Sequence, residues 1–135
     1  MKEITLRAIA ENIPQATAFI DEQLEALDCS MKAQMQIDVA IDELFSNIVH
    51  YAYDNEPGDA ALRFDFSPAD RVASITFLDS GKPFNPVEYS DPDIHLSAEE
   101  RTVGGLGIFL VRKTMDQMDY RYENGKNILT IHKHI

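Results

Sequence analysis

The sequence predicts a two-layer α+β sandwich, with helices on one face of a mostly antiparallel sheet. Three observations carry this expectation. Two consecutive segments with helical apolar spacing follow a first strand, several later segments alternate apolar and polar residues, and an Asn-Gly pair near the end joins two of those as a hairpin. The expected order is β, α, α, β, β, a long loop, α, β, β.

Ile4, Leu6 and Ala8 alternate with Glu3, Thr5 and Arg7, the period of a strand with one buried face. Asn12 is a candidate N-cap, Pro14 fits a first helical turn, and Ala16, Ile20, Leu24 and Leu27 repeat at helical spacing to about Asp28. Ser30 suits the cap of a longer helix whose stripe is Ile37, Ile41, Leu44, Ile48 and Ala52, ending before Asn55-Glu56-Pro57-Gly58. Leu62, Phe64 and Phe66, a turn at Ser67-Pro68-Ala69-Asp70, and the β-branched run from Val72 to Leu78 predict an antiparallel pair. From Ser80 to Val103 three prolines fall among Asp, Glu and Ser with no apolar period. A loop this long in a compact domain is usually functional, and a lid is expected. Ile108, Val111, Met115 and Met118 then mark a helix opening at the glycines, and Tyr120 to His132 folds back at Asn124-Gly125, a pair suited to positive φ.

With 135 residues the chain is expected to form one domain, residues 1–135, with the lid at about 80–107. Its 44% hydrophobic and 26% charged residues are ordinary for a globular protein. No apolar run would span a membrane and the start lacks a signal-peptide pattern, so the expected location is cytoplasmic. Cys29 is the single cysteine, which excludes an intramolecular disulfide or a Cys-rich zinc site and is expected to be inert. Twelve Lys and Arg against 23 Asp and Glu set the formal charge at -11, which argues against direct nucleic-acid or anionic-membrane partners.

Three short segments carry chemistry: Glu43-Leu44-Phe45-Ser46-Asn47, Asp79-Ser80-Gly81 and Gly104-Gly105-Leu106-Gly107. Glu43 and Asn47 stand four apart on one helical face, roughly 100–140° from the middle of the apolar stripe at about 100° per residue. The carbonyl oxygen of Asn47 suits Mg²⁺ beside a triphosphate, and Glu43 suits the acceptance of a proton from an attacking hydroxyl; a solvated polar flank is the competing reading. Asp79 at a strand end can accept a hydrogen bond from an adenine amino group while Gly81 admits the backbone close to the ring, although acid and glycine also make ordinary turns. Gly104, Gly105 and Gly107 open a helix whose free N–H groups and dipole favour phosphate, a flexible hinge being the alternative. Of the nearby cations Lys82, Arg101, Arg112 and Lys113, Arg101 is favoured for phosphate contact because it lies in the lid just before the glycines. Together the segments read as an ATP site without a Walker loop. No G-x-x-x-x-G-K-[ST], dinucleotide fingerprint, Cys-His metal pairing or Ser-His-Asp set competes, and His132 and His134 are expected as exposed strand residues.

In this order the segments resemble the nucleotide-binding boxes of the superfamily shared by gyrase, histidine kinases and mismatch-repair ATPases. "ELFSNIVHYAY", "LDSGKPFNP" and "GGLGIFLVRKTMD" with a following hairpin are most similar to the stand-alone bacterial anti-sigma-factor serine/threonine kinases. The resemblance runs from about Met35 to the end. It implies a Bergerat ATP-binding fold in which Asn47 holds Mg²⁺, Glu43 is the catalytic base, Asp79 reads adenine and the turn from Gly104 to Gly107 closes the lid over ATP. It also implies a sigma factor and an anti-anti-sigma protein of STAS type as partners, and a possible homodimer. Without phosphoryl transfer, the same pocket would serve a nucleotide-gated binding module. Two departures bear on the phosphate side: His50-Tyr51-Ala52-Tyr53 replaces the His-Ala-Tyr or His-Gly-Tyr frequent in relatives, and Pro83 stands where some have glycine.

Overall fold

The computed structural model describes residues 1–88 and 105–135. Their elements are β1 (Lys2–Arg7), α1 (Ile13–Ala26), α2 (Met31–Asn47), β2 (Asp59–Ser67), β3 (Val72–Asp79), α3 (Gly105–Thr114), β4 (Gln117–Glu123) and β5 (Lys126–His134). The strands form one sheet in the order β1-β2-β3-β5-β4, each neighbouring pair antiparallel. No helix among the described residues is long and apolar enough to cross a membrane.

The core follows from the two periods. Ala73, Ile75 and Phe77 of β3 and Leu129 and Ile131 of β5 are buried at alternate positions, against Ile20 and Leu24 of α1, Ile37, Ile41 and Leu44 of α2, and Val111 of α3. Ser30 caps α2 as expected, its Oγ accepting from the Ala33 N–H at 3.2 Å. Asn12 precedes α1 but does not cap it: its Nδ2 donates to the Arg7 carbonyl at 2.9 Å, which ties the helix start to β1. The periodic segment after Ser30 is α-helical only to Asn47 and continues as a π-helical turn, Ile48–Ala52. Such turns widen a helix and often accompany functional sites.

Met118 is not in the third helix. α3 stops at Thr114, whose carbonyl accepts from the Lys133 ammonium at 2.6 Å, and Met118 pairs with Ile131 in β4. An apolar residue at that spacing suits either a further helical turn or the inner face of a strand, and the β5 partner decides for the strand. His132 also departs from expectation. It is half-buried, with Nδ1 on Ser74 Oγ and Nε2 on Asp119 Oδ2, each at 2.9 Å, whereas His134 is exposed. Asn124 and Gly125 both adopt positive φ, 54° and 75°, as an Asn-Gly hairpin turn requires.

The α1–α2 contact carries a pH dependence. Oδ1 of Asp21 and Oδ1 of Asp38 are both buried without a hydrogen-bond partner among the described residues. Two carboxylates cannot satisfy one another, whereas a carboxylic acid beside a carboxylate can. Burial, then the hydrogen bond to Asp21, then repulsion from Asp21 and Glu25, push Asp38 from 3.8 up to about 7. The native state therefore holds an extra proton in this window. Stability is highest below the unfolded value and falls as the pH rises through the folded one. Asp38→Asn is expected to flatten the stability profile between pH 4 and 7. At pH 8 it should raise Tm by about 3–5 °C in thermal unfolding, for ~1 kcal/mol after discounting for partial exposure.

Candidate functional site

The inward phase of β3 runs Ala73, Ile75, Phe77 and then Asp79, so a carboxylate occupies the last position of an otherwise apolar face. Asp79 is 7% exposed. Directly across, β5 presents Asn127 in phase with Leu129 and Ile131, and Asn127 is 6% exposed. Asp79 Oδ1 accepts from the Gly81 N–H and from Asn127 Nδ2, both at 2.9 Å. Asn127 Nδ2 also donates to the Lys82 carbonyl at 2.9 Å and the Gly81 carbonyl at 3.4 Å. Its Oδ1 accepts from the Phe84 N–H at 3.1 Å and from the Tyr120 hydroxyl. One amide thus orients the buried carboxylate through Oδ1 and shapes the backbone that leaves β3, while no donor among the described residues is bonded to Oδ2.

Asp79 and Asn127 line a cavity of about 270 Å³ whose apolar wall comes from Leu44, Ile48, Phe77, Ile108 and Leu129. Lys82, Pro83 and Phe84 contribute to the same lining. Asn47 reaches this cavity from the end of α2, and its Nδ2 is buried with no partner among the described residues. A small apolar chamber with a few convergent polar groups suits a flat, partly polar ligand. Asn47 and Asp79, far apart in the sequence, share it.

Glu43, one turn before Asn47, lies against the first turn of α3. A Cβ added at Gly107 would collide with its Oε2, so the missing side chain there makes room for the carboxylate. Gly105 begins α3, whereas Gly104, Arg101 and most of the expected lid lie outside the described residues. Gly81 also makes a packing contact. Its missing Cβ faces the carbonyl and Cβ of Ala52 in the π-helical turn, and the next N–H, of Lys82, donates to that carbonyl at 2.9 Å. Close packing of loop on helix is thus the geometric requirement.

Tyr53 closes the same junction. Its hydroxyl accepts from the Ser80 N–H at 2.8 Å and donates to the Asp59 carbonyl at 2.5 Å, and burial pushes its pKa above the ordinary tyrosine value. Burial likewise raises Tyr120. Asn127, Tyr53 and Tyr120 were not singled out from sequence as site residues. For Asn127 a signal exists: a polar residue in phase with Leu129 and Ile131 interrupts an inward-facing apolar stripe. The tyrosines carry none, because a tyrosine near a turn or on a strand gives no sign of which backbone or amide group its hydroxyl will meet.

A family model described as histidine kinase-like ATPase domain matches residues 6–133. The serine/threonine-protein kinase BtrW of Bordetella bronchiseptica is 28% identical over 106 residues, 78% of this chain and 73% of that protein. The serine-protein kinase RsbW of Bacillus thuringiensis is 29% identical over 98 residues, 67% of this chain and 58% of that protein. The match thus spans little more than half of the RsbW relative. Among solved structures, that of the RsbU and RsbW domains of a Mycobacterium tuberculosis protein superposes with a TM-score of 0.64 at 13% identity, covering 99% of this chain and 32% of that one. At that identity the likeness speaks to the fold alone.

Proposed function

The chain belongs to the histidine kinase-like ATPase domain family, and from that premise we propose that it is an ATP-dependent protein serine/threonine kinase of the anti-sigma type. Its acceptor would be a serine on an anti-anti-sigma protein of STAS type. The observation that carries the reading is the cavity shared by Asp79 and Asn47, with Glu43 one helical turn away. The names of the BtrW and RsbW relatives support the kinase activity.

The residues present fit ATP. An apolar chamber with one buried carboxylate matches a purine that is apolar on its faces and carries an amino donor at its edge. The buried Asn47 Nδ2, without a hydrogen-bond partner among the described residues, matches a ligand that brings its own oxygens. Asp79 Oδ2 would accept a hydrogen bond from the adenine amino group, and Leu44, Ile48 and Ile108 would exclude water from the ring. Asn47 offers Oδ1 to Mg²⁺. Bound Mg²⁺-ATP supplies the electrophilic γ-phosphoryl group. Glu43 would take the proton of the partner's serine hydroxyl as that oxygen bonds to the γ-phosphorus and the bond from it to the β,γ-bridging oxygen breaks, releasing ADP. Gly105 and Gly107 present backbone at the α3 N-terminus to phosphate oxygens, and Gly104 and Arg101 are assigned to the same phosphates. In this proposal residues 1–135 act as one domain with a lid at about 80–107, in the cytoplasm.

Purified protein, labelled ATP and the STAS-type proteins of the source genome test the reading. Wild type is expected to transfer label to serine, and Glu43→Ala to lower kcat by at least about 100-fold with ATP affinity held within a few-fold. Equal transfer by Glu43→Ala removes Glu43 as the base. ATP-dependent partner binding without any transfer by wild type selects the nucleotide-gated binding module instead.

A further inference from the structure

The outward face of α2 carries apolar side chains where an amphipathic helix is normally polar. Met31, Met35 and Val39 repeat every four residues and are 78%, 61% and 48% exposed, while Ile37, Ile41 and Leu44 of the same helix are buried in the core. The next step of the series is Glu43, which is half-buried against Gly107. α3 adds Leu110, 44% exposed and one turn beyond Gly107, the residue that makes room for the Glu43 carboxylate. The apolar surface therefore leads into the reacting end of the site.

We propose that Met31, Met35, Val39 and Leu110 form the docking face for the protein substrate, delivering its acceptor hydroxyl to Glu43. This rests on the kinase reading above and adds where the substrate binds. Two observations select the occupant. The first is continuity: the four-residue series winds about 40° round α2 at each step and ends at Glu43, so a protein seated on Val39 and Leu110 borders the turn that holds the carboxylate. The second is charge. Asp42 and Glu43 border the stripe in a chain of formal charge -11, with Lys32 the basic residue of α2. A second copy docked symmetrically on this face would set the same carboxylates against one another. The complementary surface is an apolar centre with a neutral or basic rim, presented by a different protein. Two flexible methionines allow the face to adapt to such a surface.

The test measures phosphoryl transfer to the purified STAS-type proteins of the source genome by wild type, by Met35→Asp with Val39→Asp, and by the uncharged Met35→Ser with Val39→Ser. Calorimetric ATP affinity is followed in parallel. The Asp pair is expected to raise KM for the protein substrate at least tenfold and the Ser pair at least threefold. ATP affinity and kcat at saturating substrate should stay within twofold, which also reports an intact fold. Unchanged KM in both variants, with wild type transferring normally, overturns the docking face and leaves the kinase reading standing. Transfer by wild type to none of the proteins removes the kinase reading, and this face loses its substrate with it. In sedimentation equilibrium, a wild-type dimer that the Asp pair dissociates without changing KM assigns the face to a second copy and overturns the proposal.

Discussion

Asp79→Asn is expected to lower the affinity for ATP by about 100-fold, measured by calorimetry, without loss of thermal stability. The amide can keep its oxygen on the Gly81 N–H and Asn127 Nδ2, the two donors that hold Oδ1 in the wild-type protein. Its second atom then becomes an NH₂ group. An adenine amino group that met an acceptor there would meet a donor, so a charge-assisted hydrogen bond is replaced by two unpaired donors. That costs roughly 3 kcal/mol, and about 1.4 kcal/mol corresponds to each tenfold in affinity. The sign of the purine preference should move as well, because guanine presents an oxygen at the same edge. The ratio of GTP to ATP affinity is expected to rise in Asp79→Asn even as both ligands bind weakly. Undiminished ATP binding by the variant would show that the base is read elsewhere.

Asn127→Ala is expected to be the most destabilising single polar substitution at the site and to weaken ATP binding at least tenfold. The side chain joins Asp79, Gly81, Lys82, Phe84 and Tyr120 from a position 6% exposed. Its removal leaves a buried carboxylate with one donor fewer and several backbone groups without their partner. Such losses cost about 2–4 kcal/mol in total when water reaches part of the gap. Denaturant unfolding should show the midpoint shift with little change in slope. The loss of ATP affinity separates this residue from a purely structural one, since Asp79 would no longer be held at its present angle. Unchanged ATP affinity in a folded Asn127→Ala protein would confine Asn127 to scaffolding.

Much of the architecture was legible because it is written in short-range periods. The alternation in Leu62, Phe64 and Phe66, the four-residue recurrence of Ile37, Ile41 and Leu44, and the Asn124-Gly125 pair each state a local geometry that the packed protein keeps. Met118 was misread because one apolar residue at a boundary fits two periods, and only pairing with Ile131 distinguishes them. The change from α to π geometry at Ile48 has no comparable mark. At the site, residue type and spacing mark Glu43, Asn47 and Asp79 as candidates, and the cavity that Asn47 and Asp79 share is what the packed protein adds.

By itself, the order of residues determined most of the elements, the strand-end position of Asp79 and the common helical face of Glu43 and Asn47, because each depends on neighbours a few positions away. Only the tertiary structure decided that Asp79 and Asn47 open into one cavity, that Asn127 holds the carboxylate, that Gly81 packs on Ala52, and that Glu43 rests against Gly107. Those contacts join residues 29 to 64 positions apart, where no local period operates and strand register and helix packing alone bring the groups together.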